Sequence, residues 1–168
     1  MIPASIKASE LPVFGQPFAE GTLFARQWYG DSEYALVALG AESEIEGEWG
    51  KYGQDVETNH GDGEANTRAM AEAGSELAAQ VMALGAFIPS ALESSQMMYA
   101  KQLGYVTDLD EDDWYWTSTQ YSSSHAFDPN FATGLTGWGL KNGSFRVRPV
   151  LRFSSSTDSI IQSFWSTS

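Results

Sequence analysis

The spacing of apolar residues changes period twice along this chain, and that change limits it to a mixed architecture. Two β-rich runs, Thr22 to Tyr29 and Glu33 to Leu39, flank Gly30-Asp31-Ser32 and read as a hairpin. From Asn66 to Leu84 the period lengthens. Met70, Ala73, Leu77, Val81 and Leu84 recur at helical spacing, with Gly85 placed to end one helix. Ser90 and Glu93 form an S-x-x-E capping box that opens a second helix, which runs to Gly104. Strand-like alternation returns in Trp114-Tyr115-Trp116-Thr117-Ser118-Thr119 and in Ser144 to Phe153. Strands, then two helices, then strands give α+β.

The flanking segments are less regular. Residues 1–17 hold three prolines and read as an irregular arm leading into a domain at 18–153. Residues 40–65 are polar and glycine-rich, with Glu42, Glu44, Glu46 and Glu48 at alternate positions, as in a solvated strand or loop. Asn142-Gly143 is a strong hairpin signal. In the last strand Phe145, Val147, Leu151 and Phe153 alternate with Arg146, Arg148 and Arg152, predicting one core face and one cationic face. Pro149 removes a ladder donor there and predicts an edge position or a bulge. Residues 154–168 carry Ile160, Ile161, Phe164 and Trp165 in a Ser/Thr-rich background, which predicts a tail that docks on the domain or on a neighbouring subunit.

Charge narrows the function. The 168 residues carry a net charge of −13. Residues 1–113 have 20 acidic and 5 basic side chains, whereas residues 114–168 have 2 acidic and 4 basic. A polyanion does not track phosphates, so nucleic acid is excluded as a partner. There is no cysteine, which removes disulfides, thiol nucleophiles and thiolate metal sites. No apolar run reaches signal-peptide or membrane-span length, so neither secretion nor a membrane is expected.

The neutral, aromatic second half holds the candidate contacts. Tyr121-Ser122-Ser123-Ser124-His125-Ala126-Phe127 combines large aromatic area with adaptable hydroxyls, the composition of a binding loop; Tyr121 and Phe127 read equally well as core. Trp114, Trp116 and Trp138 sit at strand-like positions and are expected to pack inward. Ser124, His125 and Asp128 have the residue types of a hydrolytic triad, but sequence proximity is not triad geometry, and His125 reads as a surface contact. Asp108 to Asp113 places acids as in the first half of an EF-hand loop, yet it lacks the sixth-position glycine and has Thr119 at the twelfth. A solvated acidic loop is expected, with no metal and no cofactor.

Asp62-Gly63, Asn66-Thr67, Ile88-Pro89-Ser90, Trp114 to Thr119 and Arg146-Val147-Arg148-Pro149-Val150, in that order over residues 18–153, resemble one family. It is the domain of unknown function related to the C-terminal domain of the Legionella collagen-like protein, within the C-type-lectin-like superfamily. The resemblance implies a C-type-lectin-like fold, two helices packed on antiparallel sheets, with the late loops as ligand face. The superfamily includes glycan-binding lectins, phage receptor-binding proteins and a cysteine-dependent enzyme, the last excluded here. Short, signal-less relatives are often phage-encoded. The resemblance therefore implies a non-enzymatic bacteriophage virion protein, used for capsid decoration or host attachment, a homo-oligomer whose partners are other virion proteins and a host glycan or receptor. The alternative is a free carbohydrate-binding module, with calcium if Asp128-Pro129-Asn130 serves as the lectin Glu-Pro-Asn loop; the companion Trp-Asn-Asp strand is replaced by Gly137-Trp138-Gly139-Leu140. The expected ligand-binding residues are Tyr121, Ser123, His125, Asp128 and Asn130, and the expected docking residues are Ile160, Ile161, Phe164 and Trp165.

Overall fold

The first strand pair forms where the sequence is most β-rich: β3 (Gly21–Tyr29) and β4 (Ser32–Leu39) are antiparallel around Gly30, whose positive φ of 63° closes the turn. The computed structural model describes residues 5–156, so Ile160, Ile161, Phe164 and Trp165 lie outside the described residues. The pair sits in a five-stranded sheet of order β1-β9-β4-β3-β2, with β1 (Ser5–Lys7), β2 (Pro17–Phe18) and β9 (Val150–Ser156). Only β1 against β9 is parallel. The proline-rich arm thus contributes two short strands where an irregular segment was expected.

Two smaller ladders complete the strands. β5 (Ile45–Glu48) pairs antiparallel with β8 (Ser144–Val147), and β6 (His125–Pro129) with β7 (Thr136–Leu140). Among the described residues there are three helices, α1 (Gly63–Glu72), α2 (Glu76–Ala83) and α3 (Ala91–Gln102), and all lie between β5 and β6 in the chain. The architecture is α+β.

The sheet is covered on both faces because β4 alternates. Leu36 and Ala38 pack with Phe87, Met97, Tyr115, Phe131 and Val150, while Ala35 and Val37 pack with Leu23 and Phe153 beneath Leu11 of the arm and Phe18 just after it. A bulge between Leu23 and Ala25 sends Phe24 and Ala25 to the same side. A third cluster joins Met70, Leu77, Val81 and Ile88 of the helical region to Trp49, Trp116 and Val147.

Several sequence expectations change. The single helix expected over 66–84 is two helices, because Gly74 adopts φ 97° and Ser75 starts α2 by accepting from the Ala78 N–H (3.2 Å) while donating to the Trp49 carbonyl (2.8 Å). Gly85 does end the second, and the Ser90/Glu93 capping box does open α3. Asn142-Gly143 makes a turn, with the Gly143 N–H on the Leu140 carbonyl at 2.8 Å, but β7 and β8 leave it for different partners and form no hairpin.

The last strand is split as well. Pro149 sits between β8 and β9, and β9 runs inside the sheet between β1 and β4, so neither an edge nor a bulge is what accommodates it. Arg148, expected on a cationic surface, is buried with all five guanidinium N–H groups bonded. Nε (2.9 Å) and Nη2 (2.7 Å) donate to Glu44 Oε2; Nη1 donates to Asp108 Oδ1 (2.7 Å) and the Leu39 carbonyl (3.2 Å); Nη2 also donates to the Asp108 carbonyl (2.9 Å). Tyr115 Oη donates to the same Glu44 Oε2 (2.6 Å), and Arg146 binds Glu44, Asp110 and Asp113. Glu44 is therefore a buried ion-pair partner, whereas the 108–113 run stays at the surface, with Asp108, Glu111 and Asp112 exposed, even as Asp108, Asp110 and Asp113 pair with the arginines.

Removing one member of such a set leaves the other charged and buried. Arg148→Met is expected to lower stability by about 3–5 kcal/mol, read as a shift of the urea midpoint. Glu44→Leu in the same chain should recover part of that loss; a single variant as stable as the parent would show that Arg148 does not hold the fold.

Candidate functional site

Alternation along β6 and β7 gives this hairpin two chemically different faces. Pairing sets Ala126 against Gly139, Phe127 against Trp138 and Asp128 against Gly137. A third extended segment flanks β6, with the Thr117 N–H on the Phe127 carbonyl (2.9 Å), the Phe127 N–H on the Thr119 carbonyl (3.1 Å) and the Tyr121 N–H on the His125 carbonyl (2.9 Å). Ala126, Asp128, Gly137 and Gly139 face inward. A Cβ built on Gly139 would lie 2.5 Å from Asp128 Oδ2, 2.8 Å from the Phe145 ring and 3.3 Å from the Trp116 ring; one on Gly137 would lie 3.1 Å from Asp128 Oδ1 and 3.3 Å from Trp114. Those glycines make the room that the Asp128 carboxyl fills.

The outer face carries His125, Phe127, Trp138 and Leu140. Tyr121 lies stacked on Trp138, with ring centroids 4.8 Å apart and planes 10° from parallel, and meets Phe127 edge-on at 5.4 Å. His60 reaches Phe127 from the other side at 5.7 Å. Tyr121 remains 51% exposed and Trp138 54% exposed. Beside this aromatic run lies a cleft of about 470 Å³, between the hairpin and α3, lined by His60, Ala91, Ser95, Met98, Phe127 and Thr136 among others.

The surroundings of the face are rigidly specified by buried polar groups. Glu93 Oε1 accepts from the Ser90 N–H (2.8 Å) and the Gly63 N–H (3.0 Å), and Oε2 accepts from Tyr29 Oη, fixing the start of α3 against α1 and β3. Burial pushes the Glu93 carboxyl up and these bonds oppose it. The His60 carbonyl accepts from the Leu92 N–H (2.9 Å), and the Asn59 carbonyl accepts from Asn66 Nδ2 (2.7 Å) and Thr119 Oγ1 (3.0 Å). Gln120 Oε1 accepts from the Val56 N–H (2.8 Å) and Lys141 Nζ (2.6 Å), tying the 50–60 loop to the base of the hairpin.

Electrostatically the region is an island. Between residues 114 and 145 the only charged residues are Asp128 and Lys141, 4% and 0% exposed. Lys141 Nζ also donates to the Gln54 carbonyl (2.7 Å) and sits 4.6 Å from the Trp49 ring centre, and burial draws its pKa down to about 8 against the pull of Asp55. Asp128 is pushed up to about 7 by burial, opposed only by its own backbone N–H.

The sequence-predicted residues separate accordingly. Tyr121 and His125 reach the outer face. Ser123 is half-buried in the turn before β6, where its carbonyl accepts from the Gly53 N–H (3.0 Å). Asp128 points inward, and Asn130 Oδ1 is occupied by the Ala132 N–H (3.0 Å), the Thr133 N–H (3.2 Å) and Thr133 Oγ1 (3.3 Å), so it caps the 130–135 turn. His125 Nδ1 lies 2.7 Å from Ser124 Oγ, but Asp128 is on the opposite face of β6 and these three form no triad. Trp116 is core as expected and Trp114 half-buried, whereas Trp138 faces solvent. Its flanking glycines, Gly137 and Gly139, were the available signal that only one face of this strand carries side chains. Among the described residues no group of three or more His, Asp or Glu side chains is placed to hold a metal ion, and no helix is long and apolar enough to cross a membrane. Compared with known proteins, the sequence matches no family model and no curated protein.

The tight seat of Asp128 is testable. Gly139→Ala forces a methyl onto a carboxylate and a ring and should cost about 1–3 kcal/mol in urea denaturation. Gly50→Ala, where a Cβ meets nothing within 4 Å, should change stability little; equal effects at both positions would mean the hairpin is not seated as described.

Proposed function

We propose that the protein is a non-enzymatic bacteriophage virion component of the C-type-lectin-like fold that attaches to a host-surface glycan or receptor through the outer face of β6–β7. The observation that carries the binding part is the solvent-exposed Tyr121–Trp138 stack on an uncharged surface. Sugar rings present C–H faces that pack on exposed aromatic rings, and His60, Ser95 and Thr136 beside the stack offer hydrogen-bonding partners for hydroxyls. An uncharged face desolvates at little cost, while the acidic remainder of the chain discourages indiscriminate adhesion.

Contacts in this reading come from Tyr121, His125, Phe127 and Trp138; Ser123, Asp128 and Asn130 support the loop that presents them. The fold assignment draws on the α+β order of elements, with Ile88-Pro89-Ser90 leading into α3 and Arg146 to Val150 crossing between two sheets. The virion location, with other virion proteins as partners and a repeated, oligomeric arrangement, rests on the sequence resemblance. A free carbohydrate-binding module would use the same face and differ in where the protein resides.

Trp138→Ala should weaken binding to host cells or to arrayed glycans by ~10-fold or more while leaving the urea midpoint near the parent value. The same array run with calcium and with a chelator should give the same pattern. Unchanged binding in Trp138→Ala would overturn the assignment of the face. Mass spectrometry of purified particles made from the encoding genome should detect the chain, and its absence there would leave the free module.

A further inference from the structure

Asp128 occupies a place that is difficult to reconcile with a permanently charged side chain. It lies on the inner face of β6, 4% exposed, with its oxygens against Gly137 and Gly139 and close to the Trp114, Trp116 and Phe145 rings. Among the described residues, no element packed on it turns a charge toward it. From β7 come the two glycines; from the 114–116 segment come two indole rings, since Tyr115 turns away to Glu44; from β8 comes Phe145, since Arg146 turns away to Glu44, Asp110 and Asp113. Lys141, after β7, is held by Gln54 and Gln120, and His125, on β6 itself, is on the outer face with Ser124. The other side of the same two strands carries the Phe127 and Trp138 rings, on which Tyr121 packs.

We propose that Asp128 is a proton-controlled latch for the binding hairpin: protonated, it lets β6–β7 seat on Trp114, Trp116 and Phe145; ionised, it draws water and loosens that seat. The carboxylate is poorly hydrated where it lies, and fuller hydration requires the strands to part from those rings, because the space over Gly137 and Gly139 is already filled by its oxygens. The burial that raises its pKa to about 7 has a definite sign. A carboxyl raised in the closed state stabilises that state fully below the ordinary carboxylate range, near pH 4, and loses the contribution as pH rises to about 7. Mild acid therefore favours the ordered outer face. The consequence for attachment rests on the reading of that face as the contact surface: binding strengthens as pH falls through neutrality.

The test is hydrogen exchange of the β6 and β7 amides in the full chain, corrected for intrinsic rates, between pH 5 and pH 7.5. The opening constant is expected to fall by up to roughly tenfold per pH unit below about 7, or about fiftyfold between pH 7 and 5. Asp128→Asn, which keeps the shape without the charge, should remove this dependence and hold the hairpin closed throughout. A His60→Gln/His125→Gln chain should keep it, since both imidazoles lie outside the latch. A flat profile in the parent, or an unchanged slope in Asp128→Asn, overturns the proposal. Should the Asn chain fail to fold, a carbon-detected titration of the Asp128 carboxyl in the parent decides: a midpoint near 7 supports the latch, and one near 4 overturns it. Glycan or cell binding measured on the parent and on Asp128→Asn separates the two claims. Flat exchange with intact binding removes the latch alone, and pH-dependent exchange with no binding at any pH removes the contact surface alone.

Discussion

Arg148 enters the interior at the point where the chain leaves the β5–β8 ladder for the five-stranded sheet, directly before Pro149. Its five donors reach the Leu39 carbonyl at the end of β4, Glu44 in the segment that follows, and Asp108 in the long connection after α3. A lone buried guanidinium would be ruinous; one with every N–H paired can act as a joint of fixed geometry. Lysine could not substitute, having three donors on a flexible stem and no planar fork. Because Tyr115 and Arg146 share Glu44, the same joint sets the height of the 114–116 segment on which the β6–β7 hairpin rests.

The rest of the irregular chain is held in a comparable way. Residues 49–62 and 107–124 contain little regular structure, so their backbone groups need other partners. Asn66 bridges them: its Oδ1 accepts from the Asn59 N–H (2.8 Å), and its Nδ2 donates to the Asn59 carbonyl and Ser118 Oγ (3.3 Å). Thr67 Oγ1 accepts from the Ile88 N–H at 2.9 Å, and Trp49 Nε1 donates to the Thr117 carbonyl at 2.8 Å. Small polar residues at helix starts thus do for the loops what a ladder does for strands. Such buried networks specify one arrangement, because any shift leaves several groups unpaired at once.

Legibility in the sequence followed locality. The β3–β4 hairpin, the Ser90/Glu93 box and the glycine stops are written within a few residues of where they act, and the structure has them. The break at Gly74 was illegible because a lone glycine is tolerated inside a helix, and what breaks this one is Ser75 finding the Trp49 carbonyl, 26 residues away. Glu44 reads as solvated for the same reason: its partner Arg148 is 104 residues distant. Pairing of Asn142-Gly143 failed as a hairpin signal since turn chemistry states that the chain reverses, not which strand receives it. In the candidate site, residue type picked out Tyr121 and His125, but the facing of Trp138, Asp128 and Asn130 depends on a register that composition does not contain.

That register explains why the second half of the chain is so poor in charge. A two-stranded hairpin has no depth of its own; one face must be dry to anchor it, and here the inner face is dry to the extent of using glycine opposite an acid. With the inner face spent on anchoring, the outer face is the one free to serve as the proposed contact surface, and an ionised side chain there would be costly to desolvate. Aromatic rings supply contact area at low entropic cost, and stacking Tyr121 on Trp138 restrains both before any ligand arrives. The charges that favour solubility are concentrated instead in residues 1–113, where 20 acidic side chains reside. The asymmetry of charge along the chain and the two faces of the β6–β7 hairpin are therefore one constraint met at two scales.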